Sequence, residues 1–241
     1  MEDALVVIPA RLGSTRLPRK PLLPVGGVPL IVRTVRAVKA FAPNLLVATD
    51  SEEVKRLVER EGVKAVLTPP ELPSGTDRVY QASRELPYPF LINVQGDEPF
   101  VRAEHVLPVY RALKEGSSYA TVAVPFKSLE EVKNPNKVKV VVDGNSDALY
   151  FSRSPIPFVR EGEVKPETYL KHIGIYGFRK EALEAFVKWP VGRLERLEKL
   201  EQLRILENGY KIRVAIVESE PLGIDTPEDL ERAEKLLREV E

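Results

Sequence analysis

Arg11, Arg16, Arg19 and Lys20 are crowded into residues 11–20, interleaved with Gly13, Ser14 and Thr15. Guanidinium and ammonium groups at this density suit a polyphosphate, and the small residues free backbone N–H groups to donate to its oxygens. Pro18, Pro21, Pro24 and Pro29 stiffen the chain that follows, which lowers the entropy lost when a ligand orders it. A merely solvated basic loop is the competing reading. Two acidic clusters complement the cations: Gln95-Gly96-Asp97-Glu98-Pro99 and Gly223-Ile224-Asp225-Thr226-Pro227. Taken alone, Asp97 is equally a turn residue and Asp225 a helix-initiating one. Taken together they are hard oxygen ligands for Mg²⁺, which bridges phosphate oxygens while Arg and Lys neutralise the rest. A fourth cluster, Ser74-Gly75-Thr76-Asp77-Arg78, opens a helical pattern. It either meets a base or sugar at a helix N-terminus or is an ordinary cap.

These groups need a frame. Apolar runs at 5–8, 45–48, 64–67, 90–94, 119–124 and 211–217 read as strands, several with the continuous apolar character of buried parallel ones. Between them lie amphipathic patterns. Residues 29–41 place Leu30, Ile31, Val35 and Val38 on one face. Residues 51–61 carry Val54, Leu57 and Val58 after Asp50, with Glu53 in a capping-box-like start. Thr226-Pro227-Glu228-Asp229 opens a last helix with Leu230, Ala233, Leu237 and Val240 inside. The alternation predicts an α/β fold, a doubly wound and mostly parallel sheet in one domain over 1–241. Ligands of such sheets sit beyond the carboxyl ends of the strands, where the basic loop and both acidic clusters fall.

The pattern breaks between about 137 and 176. Residues 137–142 read Lys-Val-Lys-Val-Val-Val, with Lys and Val alternating at the start, Asp-Gly-Asn-Ser follows at 143–146, and an apolar run returns at 148–152. This predicts a hairpin in an antiparallel insert that serves as lid or dimer arm. Its stripe Val138, Val140 and Val142 suggests a homodimer, unless it packs on its own domain.

Composition excludes several classes. Lys plus Arg and Asp plus Glu are both 36, so no global field attracts nucleic acid or an anionic membrane. No apolar run of about 18 residues occurs, and Met1-Glu2-Asp3 is not the start of a signal peptide, so a cytoplasmic protein is expected. There is no cysteine, and His105 and His172 alone cannot make a multi-histidine metal site. The absence of G-x-x-x-x-G-K-[ST] and G-x-G-x-x-G argues against P-loop kinases and dinucleotide-dependent dehydrogenases.

Eight stretches resemble the CMP-KDO synthetases, the 3-deoxy-manno-octulosonate (KDO) cytidylyltransferases. They are V-I-P-A-R-L-G-S-T-R-L-P-R-K-P-L at 7–22, A-T-D-S-E-E-V at 48–54, S-G-T-D-R-V at 74–79 and N-V-Q-G-D-E-P at 93–99. Y-F-S-R-S-P-I-P at 150–157, H-I-G-I-Y-G-F-R at 172–179, L-E-Q-L-R at 200–204 and D-T-P-E-D-L at 225–230 complete them, in order over nearly the whole chain. CMP-sialate synthetases resemble the first loop too, whereas S-R-S-P-I-P and H-I-G-I-Y-G are more specific. Leu72 departs from the resemblance, standing where family members often carry His.

The resemblance implies a Rossmann-like nucleotidyltransferase that joins CTP and KDO into CMP-KDO and pyrophosphate for lipopolysaccharide biosynthesis. It assigns CTP to Ala10, Arg11, Thr15, Arg16 and Lys20, with Ser74, Arg78 and Gln95 beside them. Asp97 and Asp225 would hold Mg²⁺, and Arg153, His172, Tyr176, Glu201 and Gln202 would face the sugar acid. Gln95 and Arg78 would lie near the join between the substrates. Chemistry agrees: arginine pairs a sugar carboxylate in bidentate fashion, and Glu and Gln bind hydroxyls. Plain alternatives stay open, with Arg153 a surface charge, His172 and Tyr176 packing residues, and Glu201 and Gln202 on the solvated face of a helix whose Leu194, Leu197, Leu200 and Leu203 point inward. Another acid-sugar cytidylyltransferase (sialate or amino-KDO) is the nearest rival activity, and a non-catalytic nucleotide-binding regulator the more distant one.

Overall fold

A computed structural model describes residues 1–13 and 17–240. The chain gathers into two compact units, residues 1–106 with 221–241 and residues 107–220.

In the first unit, β1 (Ala4–Ala10) is buried at every position, as its uninterrupted apolar run requires. It pairs in parallel with β4 (Leu45–Thr49) on one side and β6 (Phe90–Asn93) on the other, and β4 pairs in parallel with β5 (Lys64–Leu67). A two-stranded ribbon, β2 (Pro24–Val25) and β3 (Val28–Pro29), precedes α1 (Leu30–Lys39). The expected face of α1, Leu30, Ile31, Val35 and Val38, is wholly buried. Helix α2 (Glu52–Arg60) starts where Ser51 Oγ accepts from Val54 N at 3.3 Å, a cap contributing about 1 kcal/mol. Helix α3 (Gly75–Ser83) is capped by Ser74 in the same way. The chain crosses into the second unit within α4 (Ala103–Lys114), a helix the apolar pattern did not announce. The last helix, α9 (Pro227–Val240), belongs to the first unit, where Ala233 and Ile224 pack with Leu17, Val25 and Leu30. That cluster anchors both the far end of the basic loop and the segment carrying Asp225.

The second unit is built on β7 (Tyr119–Pro125), which pairs antiparallel with β10 (Leu170–Arg179) and parallel with β11 (Arg213–Ile216). Helices α5 (Leu129–Lys133), α6 (Lys180–Lys188), α7 (Arg193–Glu198) and α8 (Leu203–Glu207) complete it. The expected hairpin is present as β8 (Lys139–Val142) and β9 (Ala148–Ser152), and β8 also pairs with β10. Asp143 Oδ1 closes its turn by accepting from Asn145 N at 2.8 Å and Asp147 N at 2.9 Å.

Two readings need correction here. The hairpin stripe is not an open face: Val140 is 1 % exposed and Val138 and Val142 are half-buried, so it packs on its own unit. Lys139 is buried as well, giving its ammonium protons to the carbonyls of Asn134 and Arg153. The single helix with Leu194, Leu197, Leu200 and Leu203 inward is instead two helices. α7 stops at Lys199, whose φ of 54° is left-handed, and Leu197 is 68 % exposed. The break has a cause outside the helix: the guanidinium of Arg153 takes the carbonyls of Glu198 and Lys199 that a continuing helix would have used.

Among the described residues no helix is long and apolar enough to cross a membrane.

Candidate active site

In the first unit the carboxyl ends of β1 and β6 open onto a cleft of about 300 Å³. Ala10 brings the last residue of β1 to it, and Arg11 follows directly. Gln95, Gly96 and Asp97 reach it from the turn after β6, and Ser74 and Arg78 from the start of α3. Gly96 is obligatory, since a Cβ there would lie 2.9 Å from the Pro9 carbonyl oxygen, inside any tolerable contact. Thr34 on α1 supports the turn by donating to the Gly96 carbonyl at 3.0 Å.

The centre of the site is an ion triad. Lys20 Nζ donates to Asp97 Oδ2 at 2.5 Å and to Asp225 Oδ1 at 3.0 Å. Burial pulls the ammonium's pKa down, but the charges and hydrogen bonds of Asp97 and Asp225 outweigh it and hold the group above its usual value. The Ile224 N–H, bonded to the Asp97 carbonyl at 2.9 Å, brings the two acidic segments together. The competing reading of Asp225 as a helix cap is answered by its neighbours. Thr226 Oγ1 accepts from Asp229 N at 3.3 Å, and Asp229 Oδ2 accepts from Thr226 N at 3.0 Å. Thr226 and Asp229 thus cap the start of the last helix reciprocally, while Asp225 Oδ1 accepts from Lys20.

Of the four cations in the basic loop, the structure brings Arg11 and Lys20 to the cleft. Arg19 pairs with the exposed Glu53. Arg16 and Thr15 lie outside the described residues. Ser74 does serve as a cap, its Oγ donating to Asp77 Oδ2 at 2.6 Å and accepting from Asp77 N at 3.2 Å, while also lining the cleft.

Asp50 was read from sequence only as the residue before a helix. Its Oδ1 accepts from Leu12 N at 3.1 Å, fastening the start of the basic loop, and its Oδ2 lies 3.7 Å from Arg78 Nη2. Its position one residue past β4 was the available signal. Arg78 is 2 % exposed and donates Nη1 to Thr68 Oγ1, while its buried Nη2 has no hydrogen-bond partner among the described residues. Desolvation lowers the pKa of this guanidinium, Asp50 opposing and Arg11 reinforcing the shift. A buried, unsatisfied cationic N–H on a cleft wall is a ready donor for an anionic or carbonyl oxygen.

The second unit assembles the other candidates on β10, β9 and the α7–α8 turn. His172 and Tyr176 lie on β10 with ring centroids 5.3 Å apart, and Phe151 of β9 meets the His172 ring edge-on at 5.1 Å. Tyr176 Oη donates to Gln202 Oε1 at 3.2 Å, and Glu201 stands near enough that its charge, after burial, raises the Tyr176 pKa. Burial drives the His172 pKa down to about 3, so its imidazole is neutral at physiological pH. Gln202 is 2 % exposed and its Nε2 has no partner among the described residues, which places an unused donor on the amide that Tyr176 contacts. Gln202 thus lies in a buried turn, not on a solvated helix face.

Arg153 is not a loose surface charge. It donates to the carbonyls of Glu198 (2.6 Å), Pro135 (2.9 Å) and Lys199 (3.2 Å). The Glu198 carboxylate in turn accepts from Ser152 Oγ at 2.7 Å and Arg153 N at 2.9 Å. The clamp uses one N–H on each guanidinium nitrogen and leaves one on each terminal nitrogen, two donors in all.

The cytidylyltransferase family model matches residues 5–212. The 3-deoxy-manno-octulosonate cytidylyltransferase of Polynucleobacter necessarius is 46 % identical over 98 % of this chain and 96 % of its own length. That of Chloroherpeton thalassium is 45 % identical over 97 % of both. The chain belongs to the 3-deoxy-manno-octulosonate cytidylyltransferase family. A solved structure of CMP:2-keto-3-deoxy-manno-octonic acid synthetase complexed with CTP superposes with a TM-score of 0.92 at 39 % identity, covering 99 % of both chains. The α/β fold and nucleotidyltransferase class expected from sequence are therefore those of this family. Leu72, the departure from the family's motif, lines the cleft, so an apolar side chain stands where other members of the family often present an imidazole.

Proposed function

We propose that this chain is a KDO cytidylyltransferase. The KDO anomeric hydroxyl oxygen bonds to the α-phosphorus of CTP as the bond to the α,β-bridging oxygen breaks. Pyrophosphate leaves with that oxygen, and the hydroxyl proton passes to water. The observation that carries this reading is the cleft in which Arg11, Arg78 and the Lys20–Asp97–Asp225 triad converge beyond the ends of the parallel strands β1 and β6. In this reading Arg11, Lys20 and the backbone at Ala10 hold the triphosphate, with Thr15 and Arg16 assigned by the family motif. Ser74, Arg78 and Gln95 position the nucleoside end. Arg153 offers its two remaining donors to the sugar carboxylate, and His172, Tyr176, Glu201 and Gln202 bind hydroxyls. Transfer of this kind depends mostly on positioning and charge stabilisation, so no side-chain base is required.

Asp97 and Asp225 fit Mg²⁺. Both aim a carboxylate oxygen at one point that a cation, the Lys20 ammonium, already occupies, and Mg²⁺ is usually held by one or two carboxylates plus substrate phosphates and water. When bound, Mg²⁺ supplies charge neutralisation at the phosphate oxygens.

We place the reaction in the cytoplasm, feeding lipopolysaccharide synthesis, and the active form as a homodimer. Support for the dimer moves from the hairpin stripe to Leu149, Phe158 and Leu197, which are 60 %, 88 % and 68 % exposed.

Pyrophosphate release from CTP, measured with KDO, amino-substituted KDO and a sialic acid, tests the activity. Release dependent on KDO is expected. Release with the sialic acid alone would assign the rival activity, and no release with any sugar would leave a nucleotide-binding regulator.

A further inference from the structure

The neutral imidazole of His172 has two possible tautomers, and its surroundings choose between them. Its Nε2 lies 2.9 Å from Thr121 Oγ1. The same hydroxyl oxygen lies 2.8 Å from the Ile175 carbonyl oxygen and 3.3 Å from that of Ile173. Both carbonyls reach it because β10 bulges against β7: Ile173 pairs with Val122 and Tyr176 with Thr121, leaving Gly174 and Ile175 outside the register. Thr121 is fully buried, so water offers no alternative partner. A hydroxyl has one proton, and a carbonyl only accepts. If Thr121 gave its proton to His172, the 2.8 Å contact with Ile175 would set two lone-pair oxygens against each other in a dry core. The proton must go to the Ile175 carbonyl, and His172 Nε2 must carry the hydrogen that Thr121 accepts.

We infer that Thr121 is a positioning residue that locks His172 in its Nε2–H tautomer, leaving Nδ1 as a bare acceptor for a hydroxyl of the sugar acid. Its sugar half rests on the KDO reading above; the tautomer itself does not. The ring that carries this acceptor lies 5.3 Å from the Tyr176 ring, whose hydroxyl is bonded to Gln202. A ring free to exchange tautomers would offer an acceptor only part of the time. Nothing in the motif around His172 points to Thr121, 51 residues earlier.

Imidazole ¹⁵N NMR on the full chain tests this, and with only two histidines in the sequence a His172→Gln variant assigns the signals. The expected wild-type pattern is protonated Nε2 and unprotonated Nδ1 at pH 7, with the Nδ1 resonance shifting when KDO is titrated in. Protonated Nδ1 overturns the tautomer assignment. An Nδ1 signal unmoved at saturating KDO overturns the sugar role, even if variants fail to fold. Thr121→Val should mix the tautomers and raise the KM for KDO by about three- to ten-fold, the loss of one hydrogen bond, with kcat and the KM for CTP nearly unchanged. Thr121→Ser should restore both readouts. A Thr121→Val enzyme with wild-type KM for KDO removes the positioning role. If no pyrophosphate is released with KDO at all, the function reading and the sugar role fall together while the tautomer measurement stands on its own.

Discussion

Lys20 donates to Asp225 across 3.0 Å although 205 residues separate them, and the same ammonium holds Asp97. One cation thereby compensates two carboxylates that would otherwise repel at the mouth of the cleft. The Lys20 side chain is 12 % exposed and the carboxylates 32 % and 43 %, so the pairing is screened only in part.

On the proposed metal role, Asp97→Asn and Asp225→Asn should each lower turnover by about 100-fold or more, because each would delete a charged ligand of Mg²⁺, whose charge stabilisation is worth several kcal/mol. Stability should change by only about 1 kcal/mol, since the other carboxylate still compensates Lys20 and both acids are partly solvated. Steady-state kinetics across a Mg²⁺ titration, with a thermal melt beside it, separate the two effects. Near-normal turnover of both variants at saturating Mg²⁺ would remove the metal assignment.

Lys20→Ala should raise the KM for CTP by about ten-fold or more while changing that for KDO little, as a point charge at this place serves phosphate oxygens. Varying each substrate separately decides it. A change confined to the KM for KDO would move Lys20 out of the triphosphate site.

The pH dependence of stability should carry a signature of His172. Its pKa falls from 6.5 to about 3 on folding, so the folded state refuses a proton that the unfolded chain accepts below pH 6.5. This contribution is therefore neutral above pH 6.5 and costs stability as pH falls toward 3, by up to about 1.4 kcal/mol per unit. Between pH 7 and 5 the wild type should lose more urea stability than His172→Gln does. Parallel losses would show that the ring protonates in the folded state.

Val140→Asp should unfold or badly destabilise the protein, because it puts a charge at a position only 1 % exposed. On the proposed homodimer, the wild type should sediment as a dimer, and Phe158→Ser combined with Leu197→Asp should leave the melting temperature nearly unchanged while shifting sedimentation to monomer; a monomeric wild type would remove the dimer proposal. A double variant that remains dimeric would place the interface elsewhere.

Much of this was legible in the chain itself. The uninterrupted apolar runs of β1 and β6 read as buried parallel strands, and such strands deliver their following loops to one edge, so Lys20 and Asp97 were identifiable as a group. Asp225 joined them through its place after the apolar run at 211–217 and its carboxylate chemistry. Local chemistry also announced the hairpin at Asp143 and the cap at Ser74, which depend on residues within four positions. The capping-box-like start expected at Asp50 and Glu53 is instead a cap at Ser51, because Asp50 Oδ1 is taken by Leu12 N. Tertiary structure alone decided the rest, since its causes are side chains reaching across long stretches of sequence. Leucine spacing at 194–203 promises one helix, but Arg153 takes its terminal carbonyls from 45 residues away and breaks it. The Lys–Val pattern promises an open stripe, yet Val140 is buried and Val138 and Val142 half-buried, so the rest of the unit covers that face. The proton on His172 is assigned by a hydroxyl on β7 whose own direction follows from a bulge in β10, a relation that no periodicity in the sequence encodes.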